Sequence, residues 1–350
     1  MKTTQGFILI DVDVAALNNA GSDPTTNLEN AVAAKKISKN GKQYPYVSGQ
    51  AWRYWWRETL KNDFNWEMSP ITREKKIAFT EADPFKYSDD DIFGYMRAAK
   101  KIIVDSKTGK EKTENVTLTR ISPLKNSALI AVAYNPIVQN WSSMSRHEGD
   151  AVPYGKDEYC AMMKGMFSID LNQVGTFSMY GRTGFLNINE TMKELFLNNG
   201  AIEIDDPIAK DSKGNPLRMV QLKKEIRLKR IQETILALKT LSGGAKLTTN
   251  LADVTPKLII LATLRSGNHP FSHLAKEELG KTIFSIEALI QIANDYRSQF
   301  DGKIYIGKRA GFMDELNSEF EKLVLGNNSF FYGSVNEAIN NYVETITLEN

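Results

Sequence analysis

Cysteine and histidine are scarce in this chain of 350 residues, which has one cysteine, Cys160, and three histidines, His147, His269 and His273. A single cysteine excludes an internal disulfide framework, and these four residues do not have the spacing of a familiar zinc site. We therefore expect no structural zinc. No other metal and no cofactor are expected either.

Long hydrophobic runs are also missing. No apolar run is long enough to span a bilayer, and Met1 to Gln5 lack the basic and apolar regions of a signal peptide. The sequence thus predicts a soluble, cytoplasmic protein with no membrane partner. Because 42% of the residues are hydrophobic, the chain can bury a substantial core in one elaborated domain or in two modest ones.

Net charge is low, at +2, whereas dedicated nucleic-acid binders usually carry a strong basic excess. Any site for a polyanion must therefore be local. Two segments have a local excess, Ala31 to Gln43 and Lys210 to Arg230. The lysines of the first are Lys35, Lys36, Lys39 and Lys42, with no acidic residue among them. Because screening limits the reach of charge to about 8–10 Å, a groove lined by such segments can hold phosphates. The simpler interpretation is that both are solvated faces.

Hydrophobic periodicity predicts the order of the main elements. Gly6 to Val14 alternates as a strand with one core face, formed by the isoleucines and valines. The further predicted elements are a helix from Ser48 to about Lys61, strands at Leu129–Tyr134 and Tyr159–Leu171, a helix at Leu222–Leu238 and a strand at Lys257–Leu264. The glycines after Ser242 are predicted to end the second helix as C-caps. The order strand, helix, strand, strand, helix, strand is that of a ferredoxin-like (RRM-like) domain. The region after Glu277 is predicted to be mostly helical.

The predicted helix after Ser48 combines a helix start with cations and aromatic residues. Ser48 is a good N-cap, Gly49 allows a ligand to approach the backbone, and the first-turn amides have no partner inside the helix. Arg53 and Arg57 are four residues apart and share one side. Three tryptophans and a leucine form the neighbouring stripe, namely Trp52, Trp55, Trp56 and Leu60. The pattern indicates a phosphate site, or, more simply, an amphipathic core helix with solvated arginines.

Two catalytic chemistries have weak support in the sequence. Asp11, Asp13 and Asp23 could hold a magnesium ion against a phosphate. No further ligand occurs at a spacing that is typical of a metal site. No nucleophile elbow supports a hydrolase. The glycine-rich loop at Ser242–Lys246 could contact phosphate through backbone amides, although it lacks the strand-to-helix placement of a P-loop.

Four motifs occur in one order along the chain. They are Leu17-Asn18-Asn19-Ala20-Gly21, Val47-Ser48-Gly49-Gln50-Ala51-Trp52-Arg53, Ile92-Phe93-Gly94-Tyr95-Met96 and Ser242-Gly243-Gly244-Ala245-Lys246. Together they resemble the Cascade backbone subunit of type I-B CRISPR systems, the Cas seven or DevR-like family. The motifs span residues 17–246, and none is found after about Glu277.

The resemblance implies a hand-shaped α+β protein. Its RRM-like palm would comprise residues 1–276, with a fingers insertion at about 62–116 and a thumb at about 135–158. Residues 277–350 would form a mostly helical C-terminal extension packed on the palm.

The resemblance also implies contacts with guide RNA. Arg53 and Arg57 match basic positions that hold its phosphates, and Met96 and Arg97 match a loop that presses on the RNA where it is kinked. The expected RNA-binding residues are Asn18, Asn19, Lys35, Lys36, Ser48, Gly49, Gln50, Arg53, Arg57, Gly94, Tyr95, Met96, Arg97, Trp141, Met144, Arg146, His147, Gly244, Ala245 and Lys246.

The partners implied are guide RNA, target DNA paired with the guide, further copies of the chain stacked head to tail, and other Cascade subunits of the Cas five, Cas six, Cas eight and small-subunit types. No catalytic residue is expected in this antiviral scaffold.

Two alternative functions stay open. Related type III subunits cut RNA with an aspartate after the first strand, where Asp23 lies, so the chain could be a metal-dependent RNA endonuclease. A regulator of transcription that binds duplex DNA is the other, although no helix-turn-helix signature supports it.

Overall fold

The structure of the protein, a computed structural model, describes residues 1–22, 31–74, 77–104, 111–144 and 152–348. Strands and helices are mixed, which confirms the α+β class. Up to residue 144 the elements are β1 (Thr3–Ala15), β2 (Asn19–Ser22), β3 (Val32–Ala34), β4 (Lys36–Lys39), β5 (Lys42–Val47), α1 (Gly49–Phe64), β6 (Thr72–Glu74), β7 (Ile77–Phe79), α2 (Ser88–Phe93), β8 (Tyr95–Val104), β9 (Glu111–Arg120), β10 (Leu124–Asn126), β11 (Leu129–Ala131) and β12 (Val138–Met144).

The second half of the chain continues this mixture. Its elements are β13 (Val152–Asp170), β14 (Thr176–Ser178), α3 (Glu190–Asn198), β15 (Ile202–Lys210), β16 (Pro216–Gln221), α4 (Lys224–Leu236), α5 (Leu247–Asn250), β17 (Leu258–Leu264), β18 (Ala275–Glu278), β19 (Lys281–Phe284), α6 (Ile286–Asp295), β20 (Ile304–Lys308), α7 (Asn317–Gly326), β21 (Phe330–Gly333) and α8 (Val335–Glu344). In the part of the chain that the structure describes, no helix is both long and apolar enough to cross a membrane.

The chain divides into two compact units. The first comprises Met1–Leu60, Asn126–Ser168 and Thr234–Ile346, and the second comprises Lys61–Lys125, Ile169–Glu233 and Thr347–Asn350. The second unit thus contains the predicted insertion at 62–116 together with residues 169–233, which the sequence did not separate from the palm.

Within the described residues, β1 lies inside a sheet of twelve strands, whose main path is β21-β20-β17-β1-β13-β11-β5-β4. Thr3–Leu9 of β1 pair antiparallel with Leu258–Leu264 of β17. The predicted order of a strand, a helix, two strands, a helix and a strand is therefore present as β1, α1, β11, β13, α4 and β17. The last of these strands lies beside the first, and β13 lies between β1 and β11.

Both faces of β1 are buried from Thr3 to Ile10, so the prediction of a single core face was wrong. Phe7 and Leu9 pack in a core with side chains from β17 and from the region after residue 270, including Phe271 and Leu289. On the opposite face, a Cβ on Gly6 would lie 2.2 Å from the ring of Phe167. That ring in turn contacts Trp56 of α1 at 5.2 Å between centroids. The sheet therefore has a hydrophobic core on each of its two sides.

The C-terminal region does more than cover the sheet. Besides α6, α7 and α8, it contributes β20 and β21, and β20 pairs antiparallel with β17. The prediction of a mostly helical region missed these strands. Tyr342 of α8 donates a hydrogen bond to Oγ1 of Thr4 at 2.7 Å, which anchors the last helix to β1.

His269 is half-buried in the first unit and gives the fold a pH dependence. Its Nε2 lies 3.0 Å from the carbonyl oxygen of Gly6 and 3.2 Å from that of Phe167. Because both partners are acceptors, Nε2 carries the proton of the neutral ring. Burial, opposed by these two hydrogen bonds, lowers the pKa of His269 below its usual value of 6.5.

We expect this lowered pKa to cost stability in acid. The contribution is fully present above the unfolded pKa of about 6.5 and is lost as the pH falls from there through the lower folded pKa, because the unfolded chain then binds more protons. Urea unfolding at a pH about one unit above and one unit below 6.5 should show a larger loss for the wild-type protein than for His269→Gln. Equal losses in the two proteins would contradict this role.

In the second unit, β8 and β9 form a long hairpin in which Tyr95 pairs with Arg120 and Val104 with Glu111. Residues 105–110, between these two strands, lie outside the described residues. Arg120 and Arg230 both bind the fully buried carboxylate of Asp91, Arg230 through Nη1 at 2.7 Å.

The basic segment at Lys210–Arg230 requires a correction. Arg227 and Arg230 are 3% and 5% exposed. Arg227 donates from Nε to the carbonyl oxygen of Val174 at 2.8 Å, and Arg230 is paired with Asp91. These two arginines hold the second unit together, so they do not line a phosphate groove.

Candidate nucleic-acid interface

The start of α1 is a capped helix terminus that also holds a neighbouring loop. The amide of Ala51 donates to Oγ of Ser48 at 3.2 Å, which confirms the predicted N-cap. The amide of Ser48 itself donates to Oδ1 of Asn18 at 3.1 Å. The loop after β1 and the helix start are thus joined directly.

Leu17 and Asn18 bring further segments to the same place. The carbonyl oxygen of Leu17 accepts from the amide of Ala245 at 2.9 Å, and that of Asn18 accepts from the amide of Lys35 at 2.7 Å. The amide of Leu17 donates to the buried hydroxyl of Tyr159 at 3.2 Å. Three of the four sequence motifs therefore meet, and we call Leu17, Asn18, Ser48, Arg53 and Ala245 the loop cluster.

The glycine-rich loop packs against the tryptophan side of α1. A Cβ on Gly243 would lie 2.1 Å from Cγ of Trp55, so only glycine fits there. Gly244 has a φ of +107°, and the amide of Ser242 donates to Oγ1 of Thr59 at 3.2 Å. The prediction that these glycines cap the preceding helix was wrong, because α4 ends at Leu236 and a short 3-10 turn at Ala237–Lys239 follows it.

Arg53 is the cation of the loop cluster. The tryptophans and Leu60 are buried as predicted, while Arg53 and Arg57 are half-buried at the edge of the helix. Burial and, after it, the positive charge of Arg57 lower the pKa of Arg53 to about 10. The guanidinium stays charged at neutral pH, and an anion bound beside it would offset both unfavourable effects.

Asn126 is a member of the site that the sequence did not reveal. Its Oδ1 accepts from Nη1 of Arg53 at 3.0 Å, and its Nδ2 donates to the carbonyl oxygen of Gly49 at 3.2 Å. A Cβ on Gly49 would lie 3.3 Å from that same nitrogen. Asn126 therefore fixes the arginine relative to the first turn of the helix.

The remaining predicted residues of the first unit surround the loop cluster in different ways. Lys36 and Gln50 are exposed, and Asn19 and Lys35 are half-buried. Lys246 has a left-handed backbone with a φ of +55°, and its Nζ lies 5.8 Å from the ring centre of Tyr154 on β13.

The described part of the segment predicted as a thumb contains the antiparallel pair of β12 and β13. Trp141 of β12 pairs with Gly155 of β13 and is 62% exposed. Arg146 and His147 lie outside the described residues, as does the side chain of Met144.

Four predicted residues belong to the second unit. Gly94 has a φ of +73°, and a Cβ there would lie 2.5 Å from the carbonyl oxygen of Arg120. Tyr95 is buried and donates to the carbonyl oxygen of Asn187 at 2.6 Å, so its side chain packs in the core of this unit. Met96 is 67% exposed, whereas Arg97 donates to the carbonyl oxygen of Glu81.

Carboxylates do not form a metal site in the described part of the chain. No group of three or more histidine, cysteine, aspartate or glutamate residues is placed to hold a metal ion there. Asp23, on which the endonuclease alternative depends, lies outside the described residues. Burial raises the pKa of Asp11, against the attraction of Lys257 and with a contribution from Asp13.

The fold is one that solved CRISPR complexes contain. A chain of a structure titled "CRISPR RNA-guided surveillance complex" is similar with a TM-score of 0.51 and 10% identity, over 98% of both chains. A chain of "CRISPR RNA-guided surveillance complex, pre-nicking" has the same TM-score and identity over 98% of this chain and 99% of that one. No curated protein matches the sequence.

The family follows from the sequence. The model of the family described as "CRISPR-associated negative auto-regulator DevR/Csa2" matches residues 8–281, most of the chain. The protein belongs to this family, as its motifs predicted.

Proposed function

We propose that the protein is a non-catalytic backbone subunit of a cytoplasmic type I-B CRISPR surveillance complex. It binds and kinks guide RNA in several head-to-tail copies and presents the RNA for pairing with target DNA in antiviral defence. The observation that carries the proposal is the loop cluster, where a capped helix start, a glycine-rich loop and the charged guanidinium of Arg53 meet. Backbone amides and an arginine are the groups that hold phosphates.

The palm of the proposed hand is the RRM-like part of the first unit. Its support is the position of β17 beside β1 and of β13 between β1 and β11, which is the strand order of a ferredoxin-like sheet. In a free RRM, bases stack on one open face of this sheet. Here the face with Phe7 and Leu9 is covered by the C-terminal region. Contacts with RNA are therefore left to the loops and the start of α1.

Contacts of this kind suit a guide carrier. They reach phosphates and sugars and not base edges, so a subunit that uses them accepts a guide of any sequence. In the proposal, the strand pair β12–β13 is the thumb and the region of β8 and β9 belongs to the fingers. Met96 and Trp141 are exposed apolar side chains that can press on bases where the RNA is kinked.

The proposed assembly needs contacts between unlike surfaces of successive copies. Such heterologous contacts do not close on themselves, and they produce a filament along the RNA. The proposed complex also includes subunits of the Cas five, Cas six, Cas eight and small-subunit types, together with target DNA paired with the guide.

Arg53→Ala tests the phosphate site. We expect weaker binding of RNA by a similar factor for unrelated sequences, because the lost contact is to the backbone. The slope of log affinity against log salt should become shallower by about 0.7, the value for one phosphate contact on a single strand. Fluorescence anisotropy with labelled RNAs of different sequence measures both quantities. The exposed Arg297→Ala serves as the matched control, with an unchanged slope expected.

Several results would contradict the proposal. An unchanged slope in Arg53→Ala would remove this arginine from the phosphate contacts. Preference for duplex DNA over single-stranded RNA would favour the regulator. Cleavage of guide-paired RNA in magnesium, abolished by Asp23→Ala, would establish the endonuclease instead.

A further inference from the structure

The hairpin of β4 and β5 places two lysines directly opposite each other. Lys39 pairs with Lys42 across the antiparallel ladder, and the turn between them is Asn40-Gly41, with φ angles of +51° and +75°. Asn-Gly is the favoured pair for such a two-residue turn. Like charges opposite each other destabilise a hairpin, so this arrangement is unfavourable unless an anion binds there.

Two tyrosines hold these lysines in place. Nζ of Lys39 lies 5.2 Å from the ring centre of Tyr44, and Nζ of Lys42 lies 4.6 Å from that of Tyr134. The two rings contact each other edge to face at 5.8 Å between centroids. We call these four residues the lysine–tyrosine patch. Cation–π contacts of this kind order the ammonium groups without neutralising them.

A carboxylate and a further lysine lie beside the lysine–tyrosine patch. Glu277 is the carboxylate that contacts it, and its Oε2 accepts from the hydroxyl of Tyr44 at 3.2 Å and from the amide of Tyr134 at 3.3 Å. Lys164 donates from Nζ to the carbonyl oxygen of Ser272 at 2.9 Å. Burial and then the charge of Lys39 lower the pKa of Lys164.

The lysine–tyrosine patch is too far from the helix start to share a phosphate with it. β5 runs from Lys42 to Val47, just before Ser48, and an extended strand of that length spans ~17 Å. This distance also exceeds the range of unscreened attraction at moderate salt. β4 is the last strand on the main path of the sheet, so the hairpin lies at its edge.

We infer that the lysine–tyrosine patch binds the phosphates of a single-stranded nucleic acid other than the guide RNA. The inference rests on the proposed function, in which the loop cluster is occupied by the guide. Lysine ammonium groups contact phosphates of any sequence as point charges. Tyr44 is 3% exposed and holds Lys39, whereas the half-buried ring of Tyr134 is the aromatic surface that a base of a single strand can contact.

The test uses the full chain saturated with a short, unlabelled RNA of mixed sequence. A labelled single-stranded DNA that is not complementary to this RNA is then titrated over a series of salt concentrations. In the double variant Lys39→Gln, Lys42→Gln we expect the affinity for the DNA to fall about 20-fold at about 0.1 M salt, and the log–log salt slope to become shallower by about 1.4. Binding of the RNA itself, measured separately, should not change.

The matched control is Lys303→Gln, Lys322→Gln, which removes two exposed lysines elsewhere in the first unit. It should leave both affinities unchanged. If the RNA affinity of the Lys39, Lys42 variant falls together with the DNA affinity, the lysine–tyrosine patch holds the guide and the inference is wrong. If neither affinity falls, the lysines are solvated or face a protein, and the inference is equally wrong.

Failure of the proposed function has a different signature. Wild-type protein that does not bind the RNA would overturn the guide-binding role. Loss of DNA binding in the Lys39, Lys42 variant alone would still establish the lysine–tyrosine patch as a site for single strands.

Discussion

Asp91→Asn is expected to destabilise the protein by about 3–5 kcal/mol, the usual effect of removing one partner from a buried ion pair. The carboxylate of Asp91 is fully buried and accepts hydrogen bonds from Arg120, from Arg230 and from the amide of Gly175 at 2.9 Å. Asparagine keeps the shape of the side chain but removes the charge. Two buried guanidinium groups then have no carboxylate at this position.

The same substitution at an exposed pair provides the control. Asp205 binds Arg218, and their side chains are 60% and 53% exposed. Asp205→Asn should therefore cost less than about 1 kcal/mol. Urea unfolding of both variants, followed by circular dichroism, measures the difference. Similar losses in the two variants would show that Asp91 does not organise the second unit.

Gly243→Ala should damage both stability and RNA binding. The added methyl group would lie 2.1 Å from Cγ of Trp55, and this indole belongs to the buried stripe of α1. Either the indole or the loop must move, at a cost of about 1–3 kcal/mol. Displacement of the loop also weakens the bond from Ala245 to Leu17, so we expect RNA affinity to fall several-fold.

Gly326→Ala separates this effect from a general response to losing a glycine. Gly326 ends α7, its φ is not positive, and a methyl group added there would meet no atom within 4 Å. Its replacement should leave both quantities unchanged. Thermal unfolding measures the stability of the two variants, and fluorescence anisotropy measures their affinity for RNA. A stable Gly243→Ala protein with wild-type affinity would contradict the packing described for this loop.

Elements with a simple pattern could be predicted from the sequence, whereas their burial could not always be. The tryptophan stripe correctly predicts the helix α1, and the apolar run at Leu258–Leu264 correctly predicts the strand β17. In β1, Asp11 and Asp13 suggested a solvated face, but Phe7 and Leu9 on that face meet the C-terminal region. The unbroken apolar run before Asp11 was the available signal for burial on both sides. β20 and β21 were missed because each is short and follows a helical segment.

The candidate site was predictable where a local motif carries it. Asn18, Ser48 and the glycine-rich loop could be identified because their residue types indicate loops and caps. Asn126 could not, because its contact with Arg53 joins positions 73 residues apart and depends on the fold. For Arg230 the error has the opposite direction, because the sequence suggested a phosphate-binding residue where the fold has a structural one. Its place in a basic segment suggested a solvated or phosphate-binding cation, and composition cannot distinguish that from a buried partner of Asp91.

The hydrogen bonds at Leu17 and Asn18 affect how this protein can change during evolution. The bonds to Ala245 and Lys35 join main-chain atoms on both sides, so substitution of these side chains leaves the donors and acceptors in place. Relatives can therefore replace most residues around the loops and still bring the same segments together. Hydrogen bonds between main-chain atoms do not depend on the identity of the side chains, so a fold held together in this way tolerates extensive divergence of its sequence.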